Sequence, residues 1–260
     1  MKLFIKNYWK TLLFFGIIGL IGGFFTGIYA IDSYPPELRQ QLLIELEKEG
    51  LGQLPADLVV GVITAIQSLG YGIILGAAGI FLGKKTGLWK DERSITKKPL
   101  IAAVAVSVIG GLALILPDIL FFGNYSQTIQ DLYTAKPDIP YLLAAVTYGA
   151  VIEEVMLRLF CMTLVGFLLH KLLGKGEEKP SVTVLMIANV ISALLFAAAH
   201  LPMTFMTVGN SAIIIFRCFL LNGVFGLAFG WLYRKWGLRY AMLAHGGCHI
   251  VSKLIWILFI

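Results

Sequence analysis

Residues 147–160 read TYGAVIEEVMLRLF, and the nature of the fold turns on where this stretch lies. Glu153, Glu154 and Arg158 are its only charges, and no other Asp, Glu, Lys or Arg falls between residues 139 and 170. On a surface helix three such charges would be ordinary. At the centre of a membrane-crossing helix each costs about 2.5–3.5 kcal/mol unless it is paired or faces a wet cavity. The surrounding chain decides between the two.

That chain is 58% hydrophobic and only 14% charged over 260 residues, with a mean hydropathy of +0.84. A soluble domain is roughly 45–50% apolar and about a quarter charged. The composition indicates an all-α, polytopic membrane protein with no separate soluble domain. A crossing helix needs roughly 20 mostly apolar residues. About seven segments qualify, with an eighth conceivable: 11–31, 58–83, 99–122, 141–171, 182–201, 212–233 and 239–260. Residues 1–139 are expected to form amino-terminal helices with an outer amphipathic segment, and 140–260 a transmembrane core, in one integrated membrane domain. The first apolar run is too long for a secretory signal, so it is expected to remain as the first span.

Loop charge sets the orientation. Lys2, Lys6 and Lys10 precede the first span; Lys84, Lys85, Lys90, Arg93, Lys97 and Lys98 outnumber Asp91 and Glu92 after the second. Lys171, Lys175 and Lys179 follow the fourth, and Arg234, Lys235 and Arg239 the sixth. The alternate loops are acidic, with Asp32, Glu37, Glu45, Glu47, Glu49 and Asp57 in one and Asp131 and Asp138 in another. This predicts a cytoplasmic amino terminus. The net charge of +6 then belongs to basic loops, and nucleic acid is not an expected partner. Leu38, Leu42 and Leu46 recur every four residues in the first acidic loop, as in a short amphipathic helix, whether on the bilayer surface or merely solvated. Gly23/Gly27, Gly72/Gly76 and Gly226/Gly230 are small-xxx-small pairs that let helices approach closely. Cys161, Cys218 and Cys248 lie in apolar segments and read as packing thiols.

Within the fourth span Glu154 and Arg158 are four residues apart, in the order that favours an ion pair. Glu153 points about a hundred degrees away and has no basic partner in its own turn. It is the odd carboxylate, suited to act as a general base. Three histidines join it in later apolar segments: His200 in LLFAAAHLP, and His245 and His249 in AMLAHGGCHIV. His170 sits at the basic end of the fourth span and is set aside as interfacial. There is no HExxH, no glycine-flanked serine, no mid-span aspartate pair and no phosphate loop. Glutamate and imidazoles remain, a set that activates water.

EEVMLR fits EExxxR, FAAAH fits FxxxH, and the last span carries a histidine followed four positions on by a polar residue. In this order the motifs resemble the CPBP family of intramembrane proteases. That family includes CAAX prenyl endopeptidases of the Rce1 type and bacterial lysostaphin-resistance-like and bacteriocin-immunity proteins. NGVFGLAFGWLY, from Asn222, resembles the family's glycine-rich segment, so the likeness covers roughly residues 140–255. It implies that Glu153 and His200 activate the hydrolytic water, and that His245 and the residue four further on stabilise the oxyanion. Family members usually carry asparagine there; this chain has His249. The resulting HxxxH pair, with His200 and Glu153, could also supply four zinc ligands, so metal-dependent and glutamate-type chemistry both stay open.

The expected partners are a lipid bilayer and a membrane-anchored protein or peptide substrate. The expected location is a bacterial plasma membrane, with peptide maturation or bacteriocin self-immunity as the role. The alternatives are a proton- or cation-coupled transporter and a catalytically silent immunity or binding protein. One geometric obstacle stands out. At about 1.5 Å per helical residue, His245 lies about 9 Å from the cytoplasmic end of its span and His200 about 27 Å from the start of its own. Straight, untilted helices would not bring them together, so either the fifth span has other limits than 182–201, or helices are shifted, tilted or broken around a cavity.

Overall fold

Glycine and proline set most of the helix boundaries. The computed structural model describes residues 2–91, 94–134, 136–174 and 176–260, and within these it is all-helical. Glu92, Arg93 and Lys175, used in the loop-charge argument, lie outside the described residues, as do the side chains of Lys2 and Asp32. Helix α1 is Lys2–Asp32, and Pro35 and Pro36 start α2, Pro36–Lys48. Helix α3 is Ala56–Thr86 and stops at Gly87, whose φ of 74° is a left-handed helix end that suits glycine. Helix α4 is Lys97–Leu120, followed by a short outer helix α5, Gln127–Leu132. Residues 139–173 form the long helical run α6. Beyond it lie α7 (Val182–Ala199), α8 (Leu201–Thr207), α9 (Ala212–Trp236) and α10 (Leu238–Phe259). Gly237, at φ 104°, makes the one-residue reversal between α9 and α10.

Among the described residues, six helical stretches are long and apolar enough to cross a membrane: Lys6–Ile31, Ala56–Thr86, Lys97–Tyr125, Val182–Thr207, Ala212–Trp236 and Leu238–Phe259. The protein is therefore a multi-pass membrane protein. The remaining expected span is α6, which carries the three charges. It occupies the middle of the bundle and packs against α1, α3, α7, α9 and α10. Its buried face, with Val155, Leu159 and Met162, merges with Ala188, Phe229, Tyr233 and Ala244 in the main core. Leucines and isoleucines such as Ile66, Ile109, Leu120 and Leu194 stay exposed on the outside, where lipid contact requires them.

Close approach of α1 and α3 depends on the glycine pairs. A Cβ on Gly27 would stand 2.6 Å from the Val60 carbonyl oxygen, so nothing larger fits. The amphipathic α2 also forms: Leu46 is buried and Leu38 and Leu42 are half-buried, while Leu43 and Ile44 face outward.

The basic segments gather at one end. Tyr8 donates to Asp91 at 3.2 Å, Trp89 Nε1 donates to the same carboxylate at 2.7 Å, and Arg239 donates to the Ser94 carbonyl at 3.0 Å. At the other end Asp118, buried to 1% exposure, accepts from Arg217 Nε at 2.6 Å and Nη2 at 2.5 Å, and from the Tyr133 hydroxyl at 3.0 Å. Burial, with the Asp118 charge beside it, pushes the Tyr133 phenol upward. This clamp ties α4 to α9 and to the segment after α5, and nothing in the residue pattern announced it. Arg217→Leu would strand the Asp118 carboxylate without a counter-charge and is expected to lower stability by about 3 kcal/mol, as read by thermal unfolding of detergent-purified protein.

Candidate active site

The two glutamates sit where α6 departs from α geometry. Ala145–Glu153 and Val155–Met162 wind as π-helix, with Glu154 between them. Such wide turns are rare and concentrate at functional sites. Hydroxyls donate to carbonyls of this region: Ser192 Oγ from α7 to the Leu157 carbonyl at 2.6 Å, and Thr163 Oγ1 to that of Arg158 at 3.2 Å. Ser192, free of any nucleophile-like surroundings, is thus a brace for α6.

Glu154 and Arg158 pair as their spacing predicts. Glu154 Oε1 lies 3.1 Å from Arg158 Nη1, and both side chains are at most 1% exposed. The contact is an ion pair off the hydrogen-bonding direction, and Glu154 Oε2, Arg158 Nη1 and Arg158 Nη2 have no hydrogen-bond partner among the described residues. The guanidinium is held instead between aromatic faces, 4.3 Å from the Phe196 ring centre and 5.4 Å from that of Phe229. A desolvated cation over an aromatic face gains about 2 kcal/mol or more.

Glu154 does a second thing that the spacing within one helix did not foretell. Its Oε1 accepts a hydrogen bond from His245 Nδ1 at 2.9 Å. An ionised carboxylate only accepts, so His245 Nδ1 carries a proton, and in the neutral form of the ring Nε2 carries the lone pair. His245 is 5% exposed, stacked on Phe229 at 4.6 Å between ring centres, with Phe196 edge-on at 5.9 Å. His245 Nε2 faces His249 Nε2 at 3.2 Å. Two lone pairs cannot share that distance, so His249 donates from Nε2–H. Its Nδ1 is then an acceptor, and it is buried without a partner among the described residues. One carboxylate thereby fixes both tautomers.

Glu153 faces the same pair. Its Oε2 lies 3.9 Å from His245 Nε2, and its side chain is 21% exposed, against 0% for Glu154. Gly149, one wide turn earlier, makes room for the imidazoles: a Cβ there would be 3.2 Å from His249 Nε2 and 3.8 Å from His245 Nε2.

His200 joins less directly. It sits at the break between α7 and α8, just before Pro202, so a helix is interrupted, one of the outcomes the depth argument left open. Its Nδ1 donates to the Phe196 carbonyl at 2.8 Å, leaving the Nε2 lone pair free. Its ring meets Phe196 edge-on at 4.8 Å, and Phe196 also touches His245. No hydrogen bond joins His200 to Glu153, His245 or His249 among the described residues.

Asn222 lies in a third wide turn, Phe219–Gly223, and donates to the Cys218 carbonyl at 2.9 Å. It supports α9 and touches none of the four residues by hydrogen bond. Cys218 and Cys248 donate to backbone carbonyls of Ala197 and Val106 and serve packing. His170, set aside as interfacial, is half-buried, with Nδ1 enclosed and unpartnered.

The zinc set does not assemble. Among the described residues no three His, Cys, Asp or Glu side chains gather closely enough to hold a metal ion. No step below is routed through a metal.

Residues 135–251 match the family model described as Type II CAAX prenyl endopeptidase Rce1-like. No curated protein and no solved structure matches the chain.

Proposed function

Because residues 135–251 match the Rce1-like family model, we propose that the protein is an intramembrane endopeptidase in which Glu153 activates the attacking water. The observation that carries this reading is the 3.9 Å separation between Glu153 Oε2 and His245 Nε2. It is too long for a direct hydrogen bond, so the carboxylate keeps an acceptor oxygen next to the imidazole and free to take a proton from water. Glu153 takes a proton from that water as the oxygen attacks the peptide carbonyl, and returns it to the leaving amine. His200, with its Nε2 lone pair free, assists the proton transfer. His249, whose Nε2–H is the available donor, turns it from His245 to the oxyanion, and His245 orients it. Histidine at this position can therefore replace the usual asparagine, since each supplies an N–H.

The substrate is a membrane-associated protein or peptide that enters from the bilayer. The proposed setting is a bacterial plasma membrane with the amino terminus in the cytoplasm, where maturation of a peptide or immunity to one is the role. The test is cleavage of a membrane-tethered peptide library by purified protein in liposomes. His200→Ala is expected to lower kcat/KM roughly a hundredfold while the protein keeps its elution volume. Binding without cleavage would indicate a silent recognition protein, and ion flux in the same liposomes a transporter. Metal content of the active sample decides between glutamate-type and metal-dependent hydrolysis.

A further inference from the structure

Lys253 extends the face of α10 that carries His245 and His249, one turn beyond the latter. Its ammonium donates to the Tyr141 hydroxyl at 2.7 Å and lies 4.3 Å from the Tyr141 ring centre and 5.7 Å from that of Trp256. Lys253 is half-buried; the buried Arg158 and the 15% exposed Arg217 each have a carboxylate at ion-pair distance. Lys253 has none among the described residues. A hydroxyl and two ring faces soften its charge without cancelling it, and an uncompensated charge inside a membrane bundle is costly enough to mark a site.

The same face holds a second unsatisfied group, the buried Nδ1 of His249. With Nε2–H turned toward His245, this nitrogen is an acceptor that awaits a donor. The face thus offers an acceptor and, about 6 Å further along the helix, a cation without a counter-ion. An extended peptide advances about 3.3–3.6 Å per residue, so about two residues cover that interval.

We propose that Lys253 binds a carboxylate carried by the substrate about two residues beyond the bond that is cut, with a substrate backbone N–H between them donating to His249 Nδ1. The carboxylate is the substrate's own C-terminus or an acidic side chain at that position. This inference rests on the peptidase reading and names the substrate class of the same site. A lipid phosphate carries similar charge, but the Lys253 ammonium is turned onto Tyr141 of α6, toward the interior of the bundle.

The test measures binding, which needs no turnover. Labelled peptides identical except for a free C-terminus, an amidated C-terminus, or Glu against Gln two residues past the cleavage point are titrated onto purified protein in uncharged phosphatidylcholine nanodiscs. At least one carboxylate peptide is expected to bind wild-type protein roughly tenfold or more tighter than its neutral twin, the size expected of hydrogen bonds to a charged group. The free-acid and Glu arms separate the two sources. Lys253→Met erases the preference and Lys253→Arg retains most of it. Should Lys253→Met not fold, Lys253→Gln, which keeps a donor without the charge, is read in the same way. Equal affinity for every peptide in wild-type protein, a preference that survives in Lys253→Met, or affinity that follows added anionic lipid instead of the peptide carboxylate each overturns the proposal. A carboxylate preference in a protein that cuts nothing would strike the hydrolysis reading and leave this subsite standing.

Discussion

Glu153→Gln is expected to lower kcat by about 10²–10⁴ while leaving the thermal unfolding temperature close to that of the wild type. The two halves of this result have separate physical causes. Glu153 has no arginine or lysine at ion-pair distance among the described residues, and its side chain is a fifth exposed, so neutralising it strands no counter-charge. It is also the carboxylate whose Oε2 stands 3.9 Å from His245 Nε2. The amide keeps the shape and removes the ability to take a proton. Turnover of a tethered peptide, followed by product mass, checks the first half, and scanning fluorimetry of the same detergent preparation checks the second.

The largest effect on stability is expected from Arg158→Ala. Removing one partner of a buried ion pair costs about 3–5 kcal/mol, because the other charge is left desolvated and alone. Here the loss also empties the space between Phe196 and Phe229. Unfolding of the variant in detergent should fall by that amount. The double replacement Glu154→Gln with Arg158→Leu should cost less than the sum of the single changes, since it leaves no orphan charge. It should not recover cleavage, because Glu154 also holds His245 at 2.9 Å. Stability recovered without activity separates the two duties of this carboxylate.

Much of the bundle was legible before any coordinates. Apolar run length and the basic loops located the spans to within a few residues, because the bilayer imposes length and the backbone must bond to itself. The Glu154–Arg158 pair followed from helical spacing, and α2 from its leucines. Relations between helices were harder to read. The bond from Glu154 to His245 crosses from α6 to α10, and no local period encodes it. The Asp118–Arg217 clamp likewise joins residues far apart in the chain, and Asp118 read only as a residue near a span end. Lys253 passed as one polar residue in the last apolar run.

The wide turns of α6 were invisible for a different reason. Ser192 Oγ, which donates to the Leu157 carbonyl there, lies on another helix, and no pattern in α6 itself contains it. The four-residue spacing still gave the Glu154–Arg158 pair. The depth mismatch left open wrong limits for the fifth span or a shifted, tilted or broken helix; the apolar helical stretch runs on to Thr207, with a cap at His200 before Pro202.

The central claim is that water, activated at Glu153, attacks the peptide directly. Its most direct measurement is mass spectrometry of a tethered-peptide reaction run in ¹⁸O-labelled water and quenched during turnover. The account predicts one labelled oxygen in the new carboxyl terminus, no peptide attached to the protein at any time, and neither label nor product with Glu153→Gln. A peptidyl adduct on the protein, or undiminished labelled product from Glu153→Gln, would contradict it.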